Sequence, residues 1–217
     1  TLLSSFVKGL KESGSEVEIF YPSNLNIKPC SCGEMYCWYN EPGKCCISDD
    51  MSSVYPELKK AKTLVLATPV YIPLPGEMQN FINRLCPLML PHLENRGNRT
   101  RARLRDDINL QQVVLMSTGG WWEIENFAIL EHIAKELAQN INIEYAGAVL
   151  RPHASQMWKD KKLTEDGEGV LKAAKRAGAE LIKKGTFSEE TLKEISRPLI
   201  SEEKLRRKYN IFLKKVE

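Results

Sequence analysis

No stretch of this 217-residue chain is apolar for long enough to span a bilayer: the most apolar run, 63–75, is broken by Pro69, Pro73 and Pro75 and falls short of the ~20 residues a spanning helix needs. Charge of one sign is not in excess either. With 31 basic and 28 acidic side chains the net charge is +3, so no field marks nucleic acid or a membrane surface as a partner. Thr1-Leu-Leu-Ser-Ser-Phe-Val-Lys8 lacks the basic, apolar and small-residue segments of a secretory leader, so a cytoplasmic location with reduced thiols is expected. No repeat or low-complexity linker divides the chain, and one domain over 1–186 with a helical extension over 187–217 is expected. Histidines are scarce, and His92, His132 and His153 form no pairing that suggests catalysis, so they read as surface or core residues. Six cysteines are too few for a disulfide scaffold, yet five fall within 30–46 and call for a local explanation.

What is present is an alternation of helix and strand patterns. Leu2, Leu3, Phe6, Val7 and Leu10 recur at helical spacing. Val17-Glu-Ile-Phe-Tyr21 reads as a strand ended by Pro22 and Asn24. Ser48-Asp49-Asp50 supplies N-cap residues for a helix carrying Met51, Val54, Tyr55 and Leu58. Thr63-Leu-Val-Leu-Ala-Thr68 and Val113-Val-Leu-Met-Ser117 are short and continuously apolar, as strands covered on both faces are. Met78, Phe81, Ile82, Leu85 and Leu88 mark a helix between them, and the arginine-rich segment 96–105 reads as an exposed, solvated connection. A helix with Phe127, Leu130, Ala134, Leu137 and Ile141, a strand over 143–150 and a helix over 168–184 ending at Gly185 follow. Leu192 and Ile195, then Leu205, Tyr209 and Leu213, continue a helical pattern on either side of Pro198. The order predicts an α/β fold with a doubly wound parallel sheet and ligand loops at the carboxyl ends of its strands.

Two loops sit where such a sheet binds ligands. In Thr68-Pro69-Val70-Tyr71-Ile72-Pro73-Leu74-Pro75-Gly76 the prolines pre-set the backbone, giving either a firm surface for a flat ligand or a rigid connector with Tyr71 covering core. In Ser117-Thr118-Gly119-Gly120-Trp121-Trp122 two glycines allow close backbone approach and the next helix offers free N–H groups; the other reading buries the tryptophans in the core or a dimer contact. A third segment is Pro29-Cys30-Ser31-Cys32, then Cys37-Trp38, then Gly43-Lys44-Cys45-Cys46-Ile47-Ser48-Asp49-Asp50-Met51.

With Leu25-Asn26-Ile27-Lys28-Pro29-Cys30, Thr68-Pro69-Val70-Tyr71, Phe81-Ile82-Asn83-Arg84 and Ser117-Thr118-Gly119-Gly120, these motifs occur in an order that resembles the flavodoxin-like NADPH-dependent FMN reductases and the related iron–sulfur flavoproteins. The resemblance implies a five-stranded sheet of order 2-1-3-4-5 and FMN held by Thr68, Pro69, Val70, Tyr71 and Ile72 and by Ser117, Thr118, Gly119, Gly120 and Trp121. Thr1 would stand at the phosphate end. It also implies NAD(P)H as co-substrate, hydride transfer without a side-chain acid or base, and a homodimer or homotetramer. Relatives open with a central strand and a phosphate loop that this sequence does not show, and the expectation is that this strand lies upstream of Thr1.

For the cysteines the resemblance leaves three readings. Cys30, Cys32, Cys37 and Cys45 could hold a [4Fe–4S] cluster with Cys46 spare, although their spacing is irregular; they could bind zinc; or they stay reduced and unligated, the preferred reading. Cys86 reads as packing. Arg96, Arg99, Arg101, Arg103 and Arg105 could reach a 2′-phosphate, but a solvated loop explains them and no cofactor role is assigned. The preferred function is an FMN-dependent NAD(P)H oxidoreductase acting on flavin, quinone-like or other small acceptors. The alternatives are an iron–sulfur flavoprotein exchanging electrons with ferredoxin, and a module of this fold that has lost FMN.

Overall fold

The computed structural model describes residues 1–213, so 214–217 of the expected C-terminal extension lie outside the described residues. The side chain of Leu213, expected on the apolar face of the last helix, also lies outside them. Helices are α1 (Leu2–Glu12), α2 (Tyr36–Tyr39), α3 (Met51–Lys60), α4 (Gly76–Asn83), α5 (Ala128–Ile141), α6 (Glu165–Lys184), α7 (Glu189–Ser196) and α8 (Glu202–Leu213). Strands are β1 (Thr63–Pro69), β2 (Glu94–Arg96), β3 (Arg99–Arg101), β4 (Gln112–Thr118), β5 (Glu144–Arg151), β6 (Trp158–Lys159) and β7 (Lys162–Leu163). The main sheet has the order β1-β4-β5, with α4 and α5 in the crossovers. Those three strands are the third, fourth and fifth of the expected order.

The run 17–21 is a correction: it joins no ladder among the described residues, and Ile19 and Tyr21 are exposed. Its β-branched and aromatic side chains supply propensity, but a strand exists only where a neighbour takes its backbone groups. The arginine-rich segment is a second correction. Where an exposed, solvated loop is expected, its first part is the antiparallel hairpin β2–β3, turned by Gly97 and Asn98, both at positive φ. Arg99 and Arg101 both pair with Glu136 of α5, at 2.6 and 3.0 Å, and Arg103 pairs with Asp106 at 2.7 Å.

The chain forms two compact units. One comprises Thr1–Val17, Met116–Ala128 and the chain from Val149 onward; the other comprises Glu18–Leu115 and Ile129–Ala148.

In the first unit α1 lies along α6. The face of α6 that packs inward is made of Val170, Ala173, Ala174, Ala177, Gly178 and Leu181, small enough for the two backbones to approach closely. A Cβ on Gly9 would run into the Lys175 carbonyl oxygen, and one on Gly178 into that of Phe6. Phe6 is fully buried against Phe187, with ring centroids 6.3 Å apart, and Lys175 pairs with Glu12 across the crossing at 2.5 Å. Thr1 and Thr164 cap the N-termini of the two helices, so α6 starts at Glu165, three residues ahead of the expected Glu168, while Gly185 closes it in the left-handed conformation as expected.

In the second unit the centre is an ion pair. Asp49 and Arg84 have side chains 0% and 1% exposed and meet through two hydrogen bonds of 2.6 and 3.0 Å. Arg84 also donates to Lys28 O at 2.8 Å, while Asp49 accepts from the Lys28 and Met51 amides at 2.9 and 3.1 Å. Asp50 precedes α3 as expected but does not cap it with its side chain; that carboxylate accepts the Asn26 amide at 2.7 Å, and Asp49 takes the Met51 amide instead. Although burial alone would raise the Asp49 pKa, the Arg84 guanidinium and the two amides hold it below the ordinary carboxylate value.

Candidate functional site

Thr68, at the end of β1, is buried, and its hydroxyl donates to the Pro69 carbonyl at 3.1 Å. Beyond it the chain leaves the sheet in a tight reversal in which the Tyr71 amide donates to Pro73 O at 3.0 Å around a cis Ile72–Pro73 bond. The turn sends Tyr71 and Ile72 outward, 64% and 100% exposed. Tyr71 therefore does not cover core, and the loop is a projecting apolar surface on a backbone braced by prolines.

The loop after β4 is braced in another way. Ser117 is buried, and Gly119 uses both its backbone groups internally: its N–H donates to Arg151 O and its C=O accepts from Ala154 N, each at 3.0 Å. Gly119 is thus not a free donor. Its missing Cβ admits the Phe127 ring, whose Cζ would stand 3.0 Å from such an atom. Gly120 is less crowded, with only the Tyr209 hydroxyl within 4 Å of the same construction. Trp121 is 60% exposed, while its carbonyl accepts the His153 amide at 2.7 Å. Trp122 is half-buried; its indole N–H donates to Ile200 O at 2.9 Å and its ring stacks on His153.

Behind this loop lies a latch that pattern reading missed. Arg151 is fully buried and donates to Pro152 O, Ile195 O and Arg197 O at 2.6, 2.6 and 2.9 Å. Its remaining nitrogen lies 2.6 Å from His153 Nε2, which also accepts the Leu199 amide at 3.1 Å. An arginine can only donate, so Nε2 is the acceptor and the neutral ring carries its proton on Nδ1. Burial, then the charge of Arg151, push the His153 pKa down to about 4. Arg151→Leu would strand three carbonyls in the interior while relieving one buried charge. We expect a loss of about 1–3 kcal/mol in urea unfolding, with faster amide exchange over 195–205.

Thr1 ends at the start of α1, where its hydroxyl accepts the Ser4 amide at 3.3 Å. The cysteine segment folds back on itself through α2 and the turn at Gly43, whose amide donates to Cys37 O at 2.9 Å. That reversal brings Cys32 and Cys46 together, and they form a disulfide. The expectation of uniformly reduced thiols is overturned here, as is the division that made Cys32 a ligand and Cys46 a spare. Cys30, Cys32, Cys37, Cys45 and Cys86 all line one cavity of about 310 Å³. Cys86 and Cys37 pack with Trp38, Ala102 and Met89, and burial pushes both thiols up, Cys86 to about 12. A [4Fe–4S] cube needs four thiolates converging on it. With Cys32 bonded to Cys46 and Cys37 and Cys86 held as thiols, the residues do not fit a cluster as they stand. No group of three or more His, Cys, Asp or Glu among the described residues is arranged around a metal position.

Each loop offers apolar surface on a braced backbone: the first presents Tyr71 and Ile72, and the second presents Trp121 beside Gly120. The fold is similar to that of an NAD(P)H:quinone oxidoreductase from Methanothermobacter marburgensis, with a TM-score of 0.54 and 16% identity over 83% of this chain and 86% of that one. A second solved structure, from Klebsiella pneumoniae, gives a TM-score of 0.57 at 14% identity, over 84% of this chain and 77% of the other. An iron-sulfur flavoprotein of Archaeoglobus fulgidus is 40% identical over 70 residues, 32% of this chain, and that match spans about a third, 34%, of the relative's length. Residues 1–121, more than half the chain, which take in the first loop and the second as far as Trp121, match the family described as NADPH-dependent FMN reductase. The flavodoxin-like α/β fold and this match together make the chain a member of the NADPH-dependent FMN reductase family.

Proposed function

We propose that the protein is an FMN-dependent NAD(P)H oxidoreductase that delivers electrons to free flavin, a quinone-like compound or another small acceptor. The observation that carries this reading is the family match, which takes in the first loop and the second as far as Trp121. When bound, FMN supplies the redox chemistry by taking a hydride from the nicotinamide and passing electrons on. The chain's own part is binding and shielding. Thr68 and Ser117 would fix the roots of the loops, Pro69 and Val70 would hold the first turn in shape, and Tyr71, Ile72 and Trp121 would offer apolar surface to the flat ring. The backbone of Thr118, Gly119 and Gly120 would serve its polar edge, and Thr1 would serve its phosphate. We extend the proposal to a cytoplasmic homodimer or homotetramer.

Purified protein titrated with FMN should turn yellow, and its flavin bands should bleach under anaerobic NADPH or NADH. Protein that stays colourless after FMN addition defeats the reading.

The cysteine-lined cavity and the similarity to an iron-sulfur flavoprotein favour a second reading, FMN together with a [4Fe–4S] cluster in ferredoxin-linked electron transfer. It requires the Cys32–Cys46 bond to open. Anaerobic iron and sulfide analysis decides it: about four irons per chain would support a cluster, and metal-free protein removes it.

A further inference from the structure

Helix α8 lies beyond the stretch matched by the family, yet it meets the loop after β4. The Trp121 and Tyr209 rings pack edge to face with centroids 5.5 Å apart, and the Tyr209 hydroxyl stands over Gly120, where no Cβ intervenes. Both rings keep open surface, Trp121 at 60% and Tyr209 at 39%.

The placement is built, not incidental. Arg151 binds the carbonyls of Ile195 and Arg197, His153 takes the Leu199 amide and Trp122 ties down Ile200, so the connection into α8 is fixed at four points. Leu205 then buries one face of α8, and Lys208 reaches Gln156 at 2.7 Å. A side chain as large as Trp121, left open beside a second ring held in register, is an arrangement suited to a flat, electron-poor ligand. Aromatic faces attract such rings by offset stacking, worth about 0.5–1.5 kcal/mol beyond the area buried.

We propose that Trp121 and Tyr209 form the subsite for a planar aromatic electron acceptor of the quinone class, with Tyr209 a specificity-determining residue supplied by the C-terminal extension. This rests on the function proposed above and adds to it a residue the family match does not reach. The subsite selects and orients the acceptor; electrons leave the reduced flavin and are taken up with protons by the quinone, which becomes the hydroquinone.

The test uses the full chain loaded with FMN and menadione as the probe. Menadione binding is measured without NAD(P)H by ligand-observed NMR, and steady-state reduction of menadione is compared with that of ferricyanide, which has no ring to stack. Tyr209→Ala should raise both the menadione Kd and its KM about three- to tenfold and lower the menadione-to-ferricyanide ratio of kcat/KM accordingly, with the FMN Kd unchanged. Tyr209→Phe, which keeps the ring, should restore the menadione Kd to within about twofold. An unchanged menadione Kd in Tyr209→Ala that still binds FMN overturns the subsite and leaves the proposed function standing. If the wild-type chain takes up no FMN, the proposed function fails, and the menadione Kd of the unloaded chain, compared between wild type and Tyr209→Ala, still decides the aromatic site.

Discussion

Asp49→Ala is expected to lower the unfolding free energy by about 3–5 kcal/mol, read from urea denaturation at pH 7. The size follows from what remains. Arg84 is buried, and its Nε already lacks a partner. Without the carboxylate the guanidinium keeps only the backbone carbonyls of Lys28 and Ile47, while the Lys28 and Met51 amides lose their acceptor. Asp49→Asn, which keeps one acceptor oxygen but no charge, should fall between wild type and alanine. The effect depends on pH in a defined sense. Because the folded-state pKa of Asp49 is depressed, its contribution is fully present above the unfolded value of about 4 and is lost as pH falls through the folded value. The gap between wild type and Asp49→Ala should therefore narrow in acid. A gap that is constant from pH 7 down to pH 2 would show that the charge of Asp49 contributes nothing.

Gly178→Ala should cost about 3 kcal/mol, or some 6–12 °C in Tm. The obstacle to the new methyl group is the Phe6 carbonyl oxygen, a backbone atom that cannot rotate aside, so α1 must move off α6 and unpack Phe6 from Phe187. Gly9→Ala meets the reciprocal obstacle at Lys175. Gly76 serves as the control: it opens α4 with nothing within 4 Å of a Cβ, so Gly76→Ala should stay within about 0.5 kcal/mol of wild type. A Tm for Gly178→Ala equal to that of the control would refute the close helix crossing.

Much of this architecture is legible in the residues because its signals are local. Continuous apolar runs mark β1 and β4, and Gly185 marks the end of α6. The loops that leave β1 and β4 are likewise found from strand ends followed by proline or glycine. Failures occur where a partner distant in sequence decides. Residues 17–21 have strand composition but no ladder, and Gly97-Asn98 turns a hairpin whose flanking residues are polar, so no apolar alternation announces it. Asp49 and Arg84 stand 35 positions apart, and each looks like an ordinary surface charge until the fold joins them. The Arg151–His153 latch and the Cys32–Cys46 bond are invisible for the same reason: neither residue type nor spacing says which groups a chain reversal will bring together.

The pairing of α1 with α6 bears on how the first unit is made. The partner of residues 2–12 is a helix ending at Lys184, so during synthesis Leu2, Phe6 and Leu10 of α1 lack that partner until residue 184 has left the ribosome. The high contact order of the crossing makes it a late event in folding.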